Sequence, residues 1–219
     1  SLLKKLPELV NRLTDLDLMV QLITNGTIDR LTELQNPNQI NLITSIDGAP
    51  EYHDLNRGQG SWSKSIKFLK HAEQLGFHLE VFSIVTQQNF DQINQFEVLL
   101  QNIFGYLPHI TYHPRKPKQY LANHPIDHQL GQTQNFDFIS FEQQRKLWQN
   151  KDVFPPLELG CYQLAIFANG LVYGCCEGVE PIGKIEDDIN LLISRLKAKT
   201  ICLGKKGQFG LPMIARIIK

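Results

Sequence analysis

Apolar runs of strand length alternate along this chain with stretches whose apolar residues recur at three and four positions, a pattern that predicts a sheet flanked by helices. Leu2, Leu3, Leu6, Leu9, Val10 and Leu13 mark an opening helix to about Leu13, in which Pro7 fits best near the helix start. Met19 to Thr24 reads as a strand, a short helix around Ile28 to Leu34 follows, and Ile40 to Ser45 reads as the next strand. A polar loop, Gly48 to Gly60, leads to a helix with Ser61 as its N-cap, Trp62, Ile66, Leu69, Ala72 and Leu75 on its apolar face, and Gly76 as its stop. Phe77 to Thr86 is β-branched and aromatic, as a strand should be, and Phe90, Ile93, Phe96, Leu99, Leu100 and Ile103 mark an amphipathic helix that stops at Gly105.

Pro108 to Tyr112 predicts a further strand, and the proline- and histidine-rich stretch from His113 to about Asn135 predicts a long loop or lid. A helix around Phe141 to Gln149 then precedes Phe154-Pro155-Pro156, read as a linker. Beyond it, Leu164 to Tyr173 has Asn169-Gly170 between two apolar runs, the preferred two-residue hairpin turn. Ile189, Leu192, Ile193 and Leu196 predict a closing helix, followed by a basic tail. The expected fold class is therefore α/β: parallel strands with helical crossovers over residues 1–153, then a small β-hairpin and helix subdomain over residues 154–219.

Charge narrows the partners. Lysine plus arginine equals aspartate plus glutamate, 22 against 22, and no basic stripe stands out, so no nucleic acid and no membrane partner is expected. No segment has the length and apolarity of a membrane span, and a cytoplasmic location is the expectation. The chain opens on Ser1 with helical periodicity at once, as expected for a piece of a longer polypeptide.

Candidate chemistry sits at the strand ends. Thr24-Asn25-Gly26 closes one apolar run and Ser45-Ile46-Asp47-Gly48 the next, which is how neighbouring parallel strands present a polar site at their carboxyl ends. Ser45 and Asp47, two residues apart, share a face of a strand and can accept hydrogen bonds from a ribose diol, while Arg57 can pair with a carboxylate. Thr86 and Asn89 end the following strand in the same manner. Taken singly, each of these residues is equally at home as a turn former or a helix cap. His109 with His113 and His124 with His128 show the i, i+4 spacing of a helical metal pair, but both pairs adjoin a proline in a non-helical stretch, which argues against that role.

In order along the chain, Thr24-Asn25-Gly26, Ser45-Ile46-Asp47-Gly48, His53 with Arg57-Gly58, and Val85-Thr86 with Asn89 resemble the middle of a radical S-adenosylmethionine enzyme of the kind that carries a cysteine-rich C-terminal extension. The resemblance implies a partial (β/α) barrel lacking its first strands and a small-molecule cofactor, S-adenosylmethionine. Thr24, Asn25, Ser45, Asp47, Arg57, Thr86 and Asn89 would line its pocket, with Ser45 and Asp47 near the ribose and methionine end and Arg57 on the carboxylate. It also implies homolytic cleavage of the cofactor to a 5′-deoxyadenosyl radical and, by analogy among relatives with this extension, a peptide or protein substrate.

The chain departs from that pattern in one respect. These enzymes hold a [4Fe-4S] cluster through a CxxxCxxC loop, and the sequence contains no such motif, so the polypeptide as written is expected to be inactive on its own. Its four cysteines, Cys161, Cys175, Cys176 and Cys202, lie in the last third. Cys161 and Gly170-x4-Cys175 resemble the opening of a SPASM/twitch-like auxiliary-cluster extension, in which thiolates would hold an iron-sulfur cluster or zinc. A two-residue turn at Asn169-Gly170 would instead place Cys176 on the face of Cys161, and a bulge at Gly174 would restore Cys175. The competing functions are a non-catalytic degenerate barrel that binds a nucleotide-like ligand or a protein partner, and a zinc-stabilised interaction protein.

Overall fold

The computed structural model describes residues 2–114, 139–153, 164–174 and 180–206, which fall into two compact units. In the larger unit, β1 (Val20–Thr24), β2 (Ile40–Ser45), β3 (His78–Val85) and β4 (His109–Pro114) form a parallel sheet in the order β1-β2-β3-β4. Pairing is in simple register, with Val20 opposite Ile40, Leu42 opposite Leu79, and Val81 opposite Ile110. Parallel neighbours require long crossovers, and the chain supplies them. Helices α2 (Pro50–Arg57) and α3 (Ser61–Gln74) join β2 to β3, and α4 (Gln87–Phe90) and α5 (Ile93–Phe104) join β3 to β4. Helix α1 (Leu2–Asp15) precedes the sheet and α6 (Phe141–Asn150) follows it. Val153 then makes a parallel bridge to Tyr112, beginning a further strand on the β4 side.

Strand alternation separates two faces. Ile40, Leu42, Ile46, Leu79, Val81, Val85, Ile110 and Tyr112 are buried in one cluster with Val10 of α1, Phe68, Leu69 and Ala72 of α3, Phe96 and Leu100 of α5, and Leu147 of α6. Each such fully buried side chain contributes about 1.5–3 kcal/mol, so this face carries most of the stability. The opposite face bears Asn41, Ile43 and Ser45 on β2, Glu80 and Phe82 on β3, and His109, Thr111 and His113 on β4. Polar links cross the strands there: Asn41 Nδ2 donates to Glu80 at 3.1 Å and Thr111 Oγ1 to the same carboxylate at 2.6 Å.

Most expected strands and long helices appear within a residue or two of their periodic signals, and α1 runs unbroken across Pro7. The helix expected from Phe90 is instead split, with Phe90 ending α4 and α5 starting at Ile93. Three further local expectations are corrected. Residues 28–34 hold only a 3-10 turn, Leu31–Glu33, rather than a helix. The stretch from Gly48 to Gly60, expected as loop, contains α2, which has few apolar residues to betray it and is held by polar side chains instead. Ser61 is not the N-cap of α3; Gly60 is, at φ +75°, and Asp54 caps the helix by accepting from Trp62 N at 2.7 Å and Ser61 Oγ at 3.2 Å. Those bonds to the ionised form hold the Asp54 carboxyl below its ordinary pKa.

In the smaller unit, β5 (Ala165–Ile166), β6 (Leu171–Tyr173) and β7 (Pro181–Lys184) form an antiparallel sheet in that order, and α7 (Ile189–Lys206) lays Leu192 and Leu196 on Val172 and Ile182. Asp188 caps α7, accepting from Asn190 N at 2.9 Å. The hairpin differs from expectation. Ala165 faces Tyr173 and Ile166 faces Val172, and Phe167 N donates to Leu171 O, so the loop has three residues, with Gly170 in the left-handed region. The argument that preferred Cys176 over Cys175 assumed a two-residue turn and loses its basis. Cys161, Cys175 and Cys176, the linker, most of the expected lid with His124 and His128, and the basic tail lie outside the described residues; Cys202 falls in α7, where only the backbone is described.

Gly26 is fixed by both conformation and space. Its φ is +67°, and a Cβ there would sit 3.1 Å from Thr44 Cγ2 and 3.2 Å from Ser65 Cα. Gly26→Ala is therefore expected to destabilise the larger unit by about 1–3 kcal/mol, read as a lower urea midpoint by tryptophan fluorescence; an unchanged midpoint would refute the strained turn.

Candidate functional site

The carboxyl ends of β2 and β3 converge on one carboxylate. Asp47, one turn of chain beyond β2, is completely buried, and its side chain accepts hydrogen bonds from two neighbouring segments. From α2, Arg57 donates through Nε at 2.5 Å and Nη2 at 2.9 Å, and Asn56 Nδ2 donates as well. From β3, the backbone N–H of Ile84 donates to Oδ1 at 3.2 Å. A buried charge is tolerable only when so matched, and the bidentate fork of Arg57 gives the strongest version of the pairing.

The main chain of Asp47 is held just as closely. Its N–H donates to His53 Nδ1 at 3.2 Å, and its carbonyl accepts from Asn89 Nδ2 at 2.6 Å. Asn89 also donates to Ile84 O at 2.8 Å and accepts from Thr86 N at 2.8 Å, so a single amide joins the two strand ends and starts α4. Tyr52 OH lies 2.7 Å from Thr86 Oγ1, tying α2 to the end of β3. Tyr52, His53, Asn56 and Arg57 are spaced so that they lie on one face of α2, which turns a nominally polar helix into the cover of the strand ends.

Of the residues expected to line a pocket, Asp47, Arg57, Thr86 and Asn89 thus form one connected network. Ser45 stands beside it on the face of the sheet away from the core helices, and its hydroxyl has no hydrogen-bond partner among the described residues. Thr24 and Asn25 are organised separately. Thr24 Oγ1 accepts from Gly26 N at 3.1 Å, Asn25 Oδ1 from Thr27 N at 3.1 Å, and Asn25 O from Ser65 Oγ of α3 at 2.7 Å. Sequence reasoning missed Tyr52 and Asn56, because it read their segment as loop. Pro50 at the start of α2, followed by residues at i, i+1, i+4 and i+5 that all carry polar groups, is the signal that would have found them.

His109 and His113 occupy β4 and so are separated along a strand, which removes the helical metal pairing that their spacing suggests. His109 instead lies between carboxylates, with Nδ1 3.5 Å from Glu80 and Nε2 3.2 Å from Asp152. Among the described residues, no three histidine, cysteine, aspartate or glutamate side chains are grouped so as to hold a metal ion. No helix among them is long and apolar enough to cross a membrane.

Replacing Asp47 should show what the network is worth. Asp47→Ala leaves a half-buried guanidinium, an amide and a backbone N–H without their acceptor, and should cost about 1–3 kcal/mol in urea unfolding followed by tryptophan fluorescence; a loss below about 1 kcal/mol would mean that the carboxylate is dispensable.

No protein-family profile matches the chain, and no curated protein matches it. Solved structures do. Native anSMEcpe with bound AdoMet superposes with a TM-score of 0.63 at 17% identity, over 85% of this chain and 59% of that one. Streptococcus suis SuiB bound to S-adenosylmethionine gives 0.62 at 14% identity, over 89% of this chain and 51% of that one, and SuiB bound to precursor peptide SuiA gives 0.63 at 14%, over 85% and 50%. The chain therefore spans about half to three fifths of the length of these proteins. With its parallel sheet, helical crossovers and small antiparallel sheet, the chain has the fold of the radical S-adenosylmethionine enzymes, as a partial (β/α) barrel.

Proposed function

We propose that this chain forms one wall of an S-adenosylmethionine site in a radical enzyme acting on a peptide or protein. The observation that carries the reading is the Asp47 network, which fixes the ends of β2 and β3 while leaving the Ser45 hydroxyl unpartnered beside them. A polar group held ready at the carboxyl ends of parallel strands is where ligands bind in this class of sheet. The residues fit a nucleoside with an amino-acid tail. Ser45 offers a donor and an acceptor to a hydroxyl or carboxylate, and Arg57 has guanidinium donors beyond the two that Asp47 engages. Thr24 and Asn25 close the neighbouring strand end, while Thr86 and Asn89 hold the geometry from behind. The solved proteins of the same fold were captured with AdoMet and, in some cases, with peptides.

Bound at this strand end, S-adenosylmethionine would supply radical chemistry towards a substrate, and Ser45 and Arg57 would bind and orient it. The [4Fe-4S] cluster that delivers the electron has no fitting ligand set among the described residues, and the sequence has no CxxxCxxC. In this reading the chain itself binds and orients the cofactor, and the electron comes through cysteines elsewhere. Cys161, Cys175, Cys176 and Cys202 are assigned to a separate iron-sulfur or zinc site in the C-terminal subdomain, residues 154–219, which metal analysis of anaerobically purified protein distinguishes. The missing motif equally favours a non-catalytic barrel that binds a nucleotide-like ligand, and the ligand preference separates the two.

Titration calorimetry with S-adenosylmethionine, S-adenosylhomocysteine and ATP tests the site. Preference for the first two is expected, with Ser45→Ala weakening S-adenosylmethionine by roughly 3- to 10-fold, the value of one hydrogen bond, and no change in the unfolding midpoint. Binding indifferent to Ser45→Ala would overturn the assignment, and a preference for ATP would favour the non-catalytic barrel.

A further inference from the structure

His53 is completely buried, yet half of its hydrogen-bonding capacity is unused. Nδ1 accepts from the N–H of Asp47 at 3.2 Å, which places the ring proton on Nε2, and Nε2 has no partner. The ring packs against Trp62 of α3, with centroids 5.9 Å apart and ring planes at 73°, and Nε2 is buried without a partner. An unsatisfied buried donor costs about 1–3 kcal/mol. An apolar helix residue in place of histidine would avoid that cost, and what histidine supplies here is an acceptor for the N–H of Asp47.

We propose that His53 is a positioning residue for the cofactor wall, holding the Ser45–Asp47 strand end in place only while its imidazole is neutral. The reason is the polarity of one bond. A protonated ring carries N–H on both nitrogens, so Nδ1 would meet the Asp47 N–H donor to donor and the contact would become repulsive. Three charged groups surround the ring: Asp47 at the end of β2 and Asp54 on α2 favour the cation, and Arg57 on α2 opposes it. From α3 the neighbour is Trp62, which carries no charge. Burial outweighs these and pushes the pKa of His53 below its ordinary value.

The sign follows from linkage. With its folded pKa below the unfolded value of about 6.5, His53 imposes no cost at neutral pH, and the folded arrangement weakens as the pH falls below that value towards the folded pKa. Release of the Asp47 N–H would loosen the strand end against α2, and with it Ser45. The inference rests on the reading of this strand end as the cofactor wall only for its effect on ligand affinity; the proton-linked contact itself stands on the geometry alone.

The test uses the full chain. Imidazole 15N shifts at pH 7.5 should show His53 as the Nε2–H tautomer, and amide exchange, corrected for intrinsic rates, should show the Asp47 N–H losing protection on acidification below about pH 6.5. His53→Asn places Oδ1 where Nδ1 stands, accepts the same N–H and does not titrate in this range, so it should keep the protection and flatten the acid limb. S-adenosylmethionine affinity measured over the same pH range should fall in the wild type and hold in His53→Asn. An Nδ1–H tautomer, or an acid limb unchanged in His53→Asn, overturns the proposal. Absence of S-adenosylmethionine binding at every pH, with the exchange difference intact, overturns the cofactor reading and supports the contact.

Discussion

One buried negative charge organises the end of this sheet. Asp47 cannot be solvated, so every lone pair it presents has to be met by the protein, and the donors come from α2 and from β3. That requirement explains why α2 exists in a sequence with so little apolar patterning. The helix is recruited by its polar face, with Asn56 and Arg57 on the carboxylate and His53 on the backbone N–H beside it. Asn89 separately draws the ends of β2 and β3 together by donating to the main-chain carbonyls of Asp47 and Ile84. A hydrophobic contact in this position would tolerate sliding, whereas a bidentate ion pair with two further donors admits one arrangement.

The sheet beneath has a division of labour. Its helix-facing side is apolar and tightly buried, and its other side carries a mixed set of polar and aromatic groups, among them Glu80 bridged to Asn41 and Thr111, and Phe82 against His113 at 5.5 Å between ring centroids. The helix-facing side supplies the rigidity, and Ser45 belongs to the other side with Asn41 and Ile43.

Much of this was legible in the sequence, and the reasons for success and failure are physical. Ile40–Ser45 was legible to the residue because a strand largely buried on both faces reads as a mostly apolar run, here interrupted by Asn41, that ends where polarity begins. Phe96, Leu100 and their neighbours were legible because α5 packs by hydrophobic periodicity. Helix α2 was not, because its stabilising contacts are polar and long-range, and such contacts leave no local period. The strand ends were legible as a polar site from Ser45, Asp47, Arg57, Thr86 and Asn89, but not the pairing of Asp47 with Arg57, since nothing in residue spacing says whether two opposite charges meet each other or a ligand. The hairpin failed by one residue because Asn-Gly serves both a two-residue turn and a three-residue loop with glycine left-handed, and only the flanking packing decides between them.

The two borders of the parallel sheet are finished differently. Beyond β4 the bridge from Tyr112 to Val153, with Tyr112 N donating to Asp152 O at 2.7 Å, has already begun to extend the wall. Strand β1 lies at the other border, with Ile23 two-thirds exposed and no strand paired along its outer side among the described residues. The outer N–H and C=O groups of β1 therefore form a template on which another strand, from whatever chain, can pair edge to edge.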